Sequence, residues 1–362
     1  MDIALICENF SLEGKFYGYE LLKSGNVNQT FLVYYDDFGK INKYVLQRIN
    51  SYVFKDPAVV MKNVVSVTNH IRRKVSFLGG KRLTLHFLPC KNGLSYFIDE
   101  NKGFWRVYKY IDDSLCFDCA EDGLVEEAGK AFGEFQRYLT DFDPKNLSFT
   151  IKDFHNCKKR YEDLILSVKN NVRRRKREVS KQLKYLKSMK KIADYYGDLI
   201  DFKQIPLRVT HNDVKISNVL FSAEEKKALA VIDLDTVMPG IVAYDFGDGA
   251  RSIASTAKED ETDLSKVDFD LTRYEAFTKG FLSQTGVYLT ENEGKTLYMA
   301  PLAVTFELAT RFLKDYLDGD LYFKCSYEKH NLVRANNQIA LCQKIYDKLG
   351  DIEAITEKYL YT

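Results

Sequence analysis

The first hundred residues of the chain alternate in the manner of strands. FLVYYDDFGKINKYVLQRI (31–49) alternates aromatic and β-branched residues around a polar turn at Asp36–Lys40, which predicts a β-hairpin. PAVVMKNVVSVTNHIRRK (57–74) instead places apolar residues at helical spacing, and Pro57 suits a first helical position. RLTLHFLPC, LSYFIDE and GFWRVYKYID then read as three further strands separated by Asn/Gly turns. From about residue 113 the period changes. LVEEAGKAFGEFQRYL (124–139) is an amphipathic helix, residues 158–195 are one long helical stretch, and the chain after about Asp248 is helical with Gly and Asp-Gly interruptions. Between them LRVTHNDVKISNVLF and ALAVIDLDTV are strand-like runs flanking a polar loop. The pattern predicts an α+β chain of two lobes, a small antiparallel-sheet lobe at 1–112 and a larger, mainly helical lobe at 113–362.

Composition adds limits rather than direction. A chain of 362 residues that is 45% hydrophobic can bury a sizeable core. Its net charge of +2 argues neither for nor against nucleic acid or membrane. The N-terminus MDIALICENF lacks a basic region and a long apolar run, so it is not read as a secretory signal, and no membrane helix is expected. Seven cysteines at irregular spacing, with Cys116 and Cys119 the single C-x-x-C pair, read as reduced and mostly buried thiols of a cytoplasmic protein.

The chemistry concentrates at HNDVKISN (211–218). Asp213 precedes Asn218 by five residues and follows His211 by two, which is the catalytic-loop spacing of protein kinases and related phosphotransferases. Such chemistry needs an Asp to accept the proton of an attacking hydroxyl and an Asn carbonyl to hold magnesium. Lys215 can place charge on the transferring phosphate. A second metal aspartate is required on the next hairpin, because divalent ions must neutralise the triphosphate. Asp233, in AVIDLD, lies twenty residues after Asp213 and fits. The literal DFG at 245–247 lies 32 residues after Asp213, too far for the metal loop. Asp245 and Asp248 are therefore read as N-cap and first-turn acids that order the turn into the next helix.

For the nucleotide, LKSGNVNQTFLV joins two strands through Gly25 and offers Asn28 and Thr30, whose backbone N–H groups can approach phosphates. The strand YVLQRIN supplies Arg48 as the phosphate cation, with Gln47 on the opposite side, and register decides which of the two faces the phosphates. Helix 57–74 has no acid to pair with that cation. Lys109–Asp112, including Tyr110, is the expected hinge for adenine, and an ordinary strand between lobes reads the same way.

HNDVKISNVLF followed by VIDLDTVMPGIVAYDFGDGARS resembles the aminoglycoside phosphotransferase/choline kinase superfamily, and most closely the N-acetylhexosamine 1-kinases. YVLQRINSYVFKDP, DFHNCKKRY and ELATRFLKDYLDGDLYFK extend the resemblance over nearly the whole chain. It implies a two-lobed, protein-kinase-like fold and ATP- and magnesium-dependent phosphorylation of the anomeric hydroxyl of GlcNAc or GalNAc. In that reading Asp213 is the base, Asn218 and Asp233 bind Mg2+, and Arg311 and Tyr322 contact the sugar. Dense charges beside aromatics in that last stretch suit a sugar site.

RRRKREVSKQLKYLKSMKK (173–191) carries Val179, Leu183, Leu186 and Met189 at helical spacing, which makes it an amphipathic helix with a solvated basic face. The resemblance implies a small-molecule sugar as partner, and with the basic face read as solvated no nucleic acid and no membrane are expected, for a monomer or homodimer. The alternatives are a kinase of another small alcohol, such as a different hexose, choline or a homoserine-like acceptor, and a catalytically silent nucleotide-binding scaffold.

Overall fold

The computed structural model describes residues 2–22, 28–78, 83–121 and 123–360. In chain order the elements are α1 (Ile3–Cys7), β1 (Lys15–Leu22), β2 (Gln29–Asp37), β3 (Lys40–Ile49), α2 (Pro57–Leu78), β4 (Phe97–Ile98), β5 (Phe104–Lys109), β6 (Ser114–Leu115) and α3 (Leu124–Tyr138). Then follow α4 (Cys157–Asn170), α5 (Ser180–Ser188), α6 (Lys190–Asp201), β7 (Arg208–Thr210), β8 (Val219–Ser222), β9 (Ala228–Val231) and β10 (Met238–Gly240). The rest is helical: α7 (Val242–Ala254), α8 (Leu271–Thr285), α9 (Glu291–Thr296), α10 (Ala300–Asp318), α11 (His330–Asp347) and α12 (Leu349–Leu360). The chain divides into two compact units. The first holds 1–116, 141–151 and 220–239, and the second holds 117–140, 152–219 and 240–362, so the units interleave instead of meeting at one cut.

The first unit is built on an antiparallel sheet in the order β1-β2-β3-β5-β4. The predicted hairpin is β2–β3, turning at Asp37↔Lys40. One face of the sheet buries Phe31, Val33, Leu46, Trp105 and Val107 under Ile3, Ile6, Cys7 and Phe10. Asp56 starts α2 by accepting the N–H groups of Ala58 and Val59, and Pro57 takes the first position, where its missing N–H costs nothing. Asn63 of α2, fully buried, donates to the carbonyls of Ser148 and Val237 and accepts the N–H of Ser148. That one amide binds two distant chain segments into the unit.

The second unit centres on α10, which contacts α4, α7 and α11. Helices α3 and α8 approach closely through glycines: a Cβ at Gly280 would lie 2.1 Å from the Glu126 carbonyl, and one at Gly129 2.4 Å from that of Phe277. No helix among the described residues is long and apolar enough to cross a membrane. Cys7, Cys90, Cys157 and Cys342 are buried, whereas Cys116 and Cys119 are exposed.

Two expectations are corrected. RLTLHFLPC is not a strand: its described residues make only isolated bridges, Phe87↔Tyr108 and Phe10↔Cys90, because Pro89 has no N–H and Cys90 turns back onto Leu94. Residues 158–195 are not one helix. Asn171 ends α4 in the left-handed region (φ 45°), Arg174 is left-handed as well, and Met189 separates α5 from α6. The apolar stripe of the basic run holds at three positions, with Val179, Leu183 and Leu186 buried.

The α3–α8 contact sets an expected outcome. Gly280→Ala gains about 1 kcal/mol of helix propensity but must push the two helix backbones apart, an overpacking cost of about 1–3 kcal/mol. Urea denaturation shows a lower midpoint for Gly280→Ala. Gly350→Ala, whose Cβ would meet nothing, shows no loss.

Candidate active site

In the second unit the HNDVKISN segment leaves β7, passes through a 3-10 turn at Ile216–Asn218 and enters β8. Buried Val209, Val214 and Val219 anchor it, so the polar residues between them are held at fixed positions. Lys215 Nζ donates to Asp213 Oδ2 at 2.8 Å, and Asn218 Nδ2 donates to Asp213 Oδ2 at 2.9 Å and to its backbone oxygen at 2.8 Å. Burial pushes the Asp213 carboxyl up, but Lys215, His211 and Asn218 outweigh it and hold it below its ordinary value. The group is an ionised acceptor.

The loop is fastened from behind by α7. Asp245 accepts the N–H groups of His211 at 2.9 Å and Asn212 at 2.7 Å, together with the Gln136 amide. Asp248 accepts the N–H of Val214 at 2.8 Å on one oxygen and Arg251 at 2.7 Å on the other. The reading of these acids as helix-start residues holds for Asp245, which lies in the first turn of α7, and is corrected for Asp248, which lies further in. Ile241 occupies the N-cap position, both acids lie within α7, and their carboxylates orient the loop that carries Asp213. Sequence distance hid this, since each contact spans 33 or 34 residues.

The first unit presents a polar face on β2, β3 and β5. Register places Thr30, Gln47 and Arg106 opposite one another. Gln47 donates to Thr30 Oγ1 at 3.1 Å and accepts from Arg106 Nε at 2.9 Å. The Arg106 guanidinium pairs with Asp235 inside the fold, both being about 2% exposed. Asn28 Nδ2 reaches the other Asp235 oxygen at 2.7 Å. Arg48 is on the opposite face, its guanidinium 5.9 Å from the Trp105 ring centre and beside Asp99. Of the two residues that register had to decide between, Gln47 is the one on the face with Thr30 and Arg106. The cation on that face is Arg106, which was not expected from the sequence. Its acid comes from the IDLD turn and not from α2, which explains why α2 has none. Asp233 itself is exposed, in the left-handed region at φ 59°. Tyr110 lies just beyond β5, under the Lys43 ammonium at 5.4 Å, and donates its N–H to the Lys43 carbonyl. Gly25 lies outside the described residues.

A third cluster in the second unit surrounds Arg311 on α10. Its guanidinium lies 4.8 Å from the Phe154 ring centre, 5.4 Å from Phe323 and 5.9 Å from Tyr322, and it donates to Glu307 at 3.3 Å. Buried Asp315 accepts the N–H groups of Leu321, Tyr322 and Phe323, which fixes the turn carrying both aromatics. Arg311 and Tyr322 are thus brought together.

Residues 18–277 match the phosphotransferase enzyme family (APH). The chain belongs to that family. Solved structures agree on the fold. An aminoglycoside phosphotransferase from Alicyclobacillus acidocaldarius is 14% identical, with 99% of this chain and 97% of that one covered, at a TM-score of 0.62. A microcompartment-associated aminopropanol kinase is 12% identical, with 97% of each chain covered, at 0.59. Choline kinase from Cryptosporidium parvum is 14% identical, with 99% of each covered, at 0.56.

Phosphotransferases of this kind take magnesium, which is held by few protein ligands, all oxygens. Among the described residues no three His, Cys, Asp or Glu side chains cluster as a metal site. Each oxygen donor that the sequence singles out stands within its own unit. The Asn218 amide nitrogen is committed to Asp213, which turns its carbonyl oxygen the other way, and the Asp233 carboxylate is exposed.

Two outcomes follow from these contacts. Arg106→Met leaves Asp235 buried and unpaired, and lowers unfolding free energy by about 3–5 kcal/mol in urea titration. Asp245→Ala leaves two buried N–H groups without acceptors and costs about 2–6 kcal/mol. With folded Asp245→Ala protein, turnover falls far more than nucleotide affinity, as measured by steady-state kinetics and calorimetry.

Proposed function

We propose that this phosphotransferase moves the γ-phosphate of ATP to the anomeric hydroxyl of an N-acetylhexosamine, GlcNAc or GalNAc, and gives the sugar 1-phosphate. The observation that carries the reading is the Arg311 cluster. A sugar is held by polar groups beside aromatic faces, and Arg311, Tyr322, Phe154 and Phe323 offer both. The same cluster argues against a cationic acceptor. Its Glu307 carboxylate already pairs with His155 at 2.7 Å and with Arg311, and Asp315 is taken up by three backbone N–H groups, so both acids are engaged within the fold. Choline kinase and the aminopropanol kinase take acceptors that carry a nitrogen cation, whereas this chain is read as taking a neutral polyol.

In this reading Asp213 accepts the proton of the sugar hydroxyl as the phosphate bond forms. Its ionised state and its fixed peptide suit that role. Lys215 beside it offsets negative charge on the transferring phosphate. Asn218 and Asp233 supply hard oxygen donors for Mg2+, and magnesium when bound neutralises the triphosphate oxygens. Asn28, Thr30 and Gln47 line the nucleotide side of the sheet, with Arg106 behind them.

An ADP-release panel with GlcNAc, GalNAc, neutral hexoses, choline, aminopropanol and homoserine tests the acceptor. The highest kcat/KM is expected for an N-acetylhexosamine, and a preference for an amino alcohol refutes the sugar reading while leaving phosphotransfer intact. Asp213→Asn is expected to lower kcat by about 10²–10⁴-fold with ATP affinity unchanged. Wild-type turnover in this variant refutes the role of the base.

A further inference from the structure

Buried His155 stands between α10 and the catalytic loop. Its Nδ1 lies 2.7 Å from Glu307 Oε2, and its Nε2 lies 3.2 Å from the backbone oxygen of Asn212. A carboxylate and a carbonyl can only accept. A neutral imidazole has one N–H and one lone pair, so either tautomer would press a lone pair against an oxygen. Burial pushes the Glu307 carboxyl up, but His155, Arg311 and Arg160 outweigh it and hold it below its ordinary value, and with Glu307 ionised both contacts are satisfied by the imidazolium alone.

The bond to Asn212 falls on the peptide that leads into Asp213. Asn212 is in the left-handed region at φ 64°, and each of its polar groups is engaged. Its N–H goes to Asp245, its side-chain oxygen accepts from Thr210 Oγ1, and its side-chain amide donates to the Thr210 carbonyl. The next N–H, that of Asp213, donates to His211 Nδ1 at 3.3 Å. The Asn212–Asp213 peptide is therefore gripped by a histidine at each end, and His155 holds the carbonyl end.

We propose that His155 is a positioning residue for phosphoryl transfer, acting as a protonated strut that ties Glu307, and through it Arg311, to the peptide orienting Asp213. This rests on the reading of Asp213 as the base. It makes turnover depend on the charge of a histidine that touches neither substrate nor phosphate, and it links the acceptor cluster to the catalytic loop through one buried ring.

The groups facing His155 agree. From α10 come Glu307 and Arg311, from α7 Asp248 and the Tyr244 ring at 5.1 Å, and from α4 Arg160, which lowers Glu307, and Cys157, which burial and then Glu307 push up. Burial lowers the imidazole's affinity for its proton. Glu307 foremost, and then Asp248, outweigh burial and the opposing Arg311, so His155 titrates above its ordinary 6.5. With the folded value raised, the strut is intact below that pH and is lost as pH rises through the folded value.

The test uses the whole chain. In the wild type, 15N spectra of the histidine rings are expected to show both His155 nitrogens protonated at neutral pH, and kcat to fall with rising pH along the same titration while the KM for ATP stays level. His155→Phe keeps the ring shape without donors and lowers kcat on the order of 10²-fold at unchanged KM. His155→Gln keeps a neutral amide donor toward Asn212, and its kcat shows no such basic limb. A neutral His155 ring at neutral pH, an unaltered basic limb in His155→Gln, or wild-type kcat in His155→Phe overturns the proposal. The ring spectrum decides the matter even where a variant fails to fold. Asp213→Asn measured alongside keeps the two readings apart: loss of turnover there with no effect at His155 refutes the strut alone, whereas full turnover there refutes the base.

Discussion

The loop that carries Asp213 is held by its backbone, and the hold comes from two carboxylates on one helix turn. Asp245 and Asp248 sit three residues apart on α7 and take the N–H groups of His211, Asn212 and Val214. Such hydrogen bonds contribute about 0.5–1.5 kcal/mol each and leaving a buried donor unsatisfied costs more, which keeps Asn212 left-handed and Asp213 aimed without any contact to the Asp213 side chain itself. The residues between the acids serve the same end. Phe246 enters a ring cluster with Tyr274, Phe277 and Phe281. A Cβ at Gly247 would meet the Ala300 carbonyl at 2.6 Å, and one at Gly249 would meet Phe277 and Val214. Within the D-F-G-D-G run the two acids hold the loop, Gly247 lets α7 lie against α10 at Ala300, and Gly249 lets it lie against Phe277 and Val214.

Much of this was open to sequence reasoning, and the limits have physical causes. Periodicity identifies α2, α3 and the β2–β3 hairpin because each buries one face, and burial imposes the period. It misreads 82–90 because Pro89 removes the donor a ladder needs, while the apolar content of the run stays strand-like. It merges α4, α5 and α6 because Asn171, Arg174 and Met189 break the backbone without a proline or glycine to announce it. The contact between Asp213 and Asn218 is legible because their spacing is local. Arg106 is not, because its partner Asp235 is 129 residues away. Between Arg48 and Gln47 the sequence has no preference, since adjacent strand residues face opposite sides and only the pairing Gln47↔Arg106 decides.

Each unit solves its own problem of orientation. In the first, a sheet buries one face under α1 and leaves Thr30, Gln47 and Arg106 in a hydrogen-bonded row on the other. In the second, the loop of Asp213 and the turn of Tyr322 are both irregular, and a buried acid fixes each by several backbone N–H groups: Asp245 for the loop, Asp315 for the turn. Irregular backbone needs such acceptors, because it has no ladder or helix to satisfy its N–H groups. Flexible-looking polar segments can therefore hold reactive side chains at fixed positions.

The same logic explains why the protein keeps buried ion pairs. An apolar replacement of matching volume is often as stable as a buried pair, so stability alone does not account for Arg106–Asp235, Arg251–Asp248 and His155–Glu307. In each, one member has an atom left over that the pair does not consume. The second oxygen of Asp235 takes Asn28, that of Asp248 takes the Val214 N–H, and the second nitrogen of His155 meets the Asn212 carbonyl. An apolar cluster can fill the same space, but it cannot aim an atom at a chosen backbone group. The pair anchors the aiming residue, and its desolvation is offset by the direction it gives to a residue of the site.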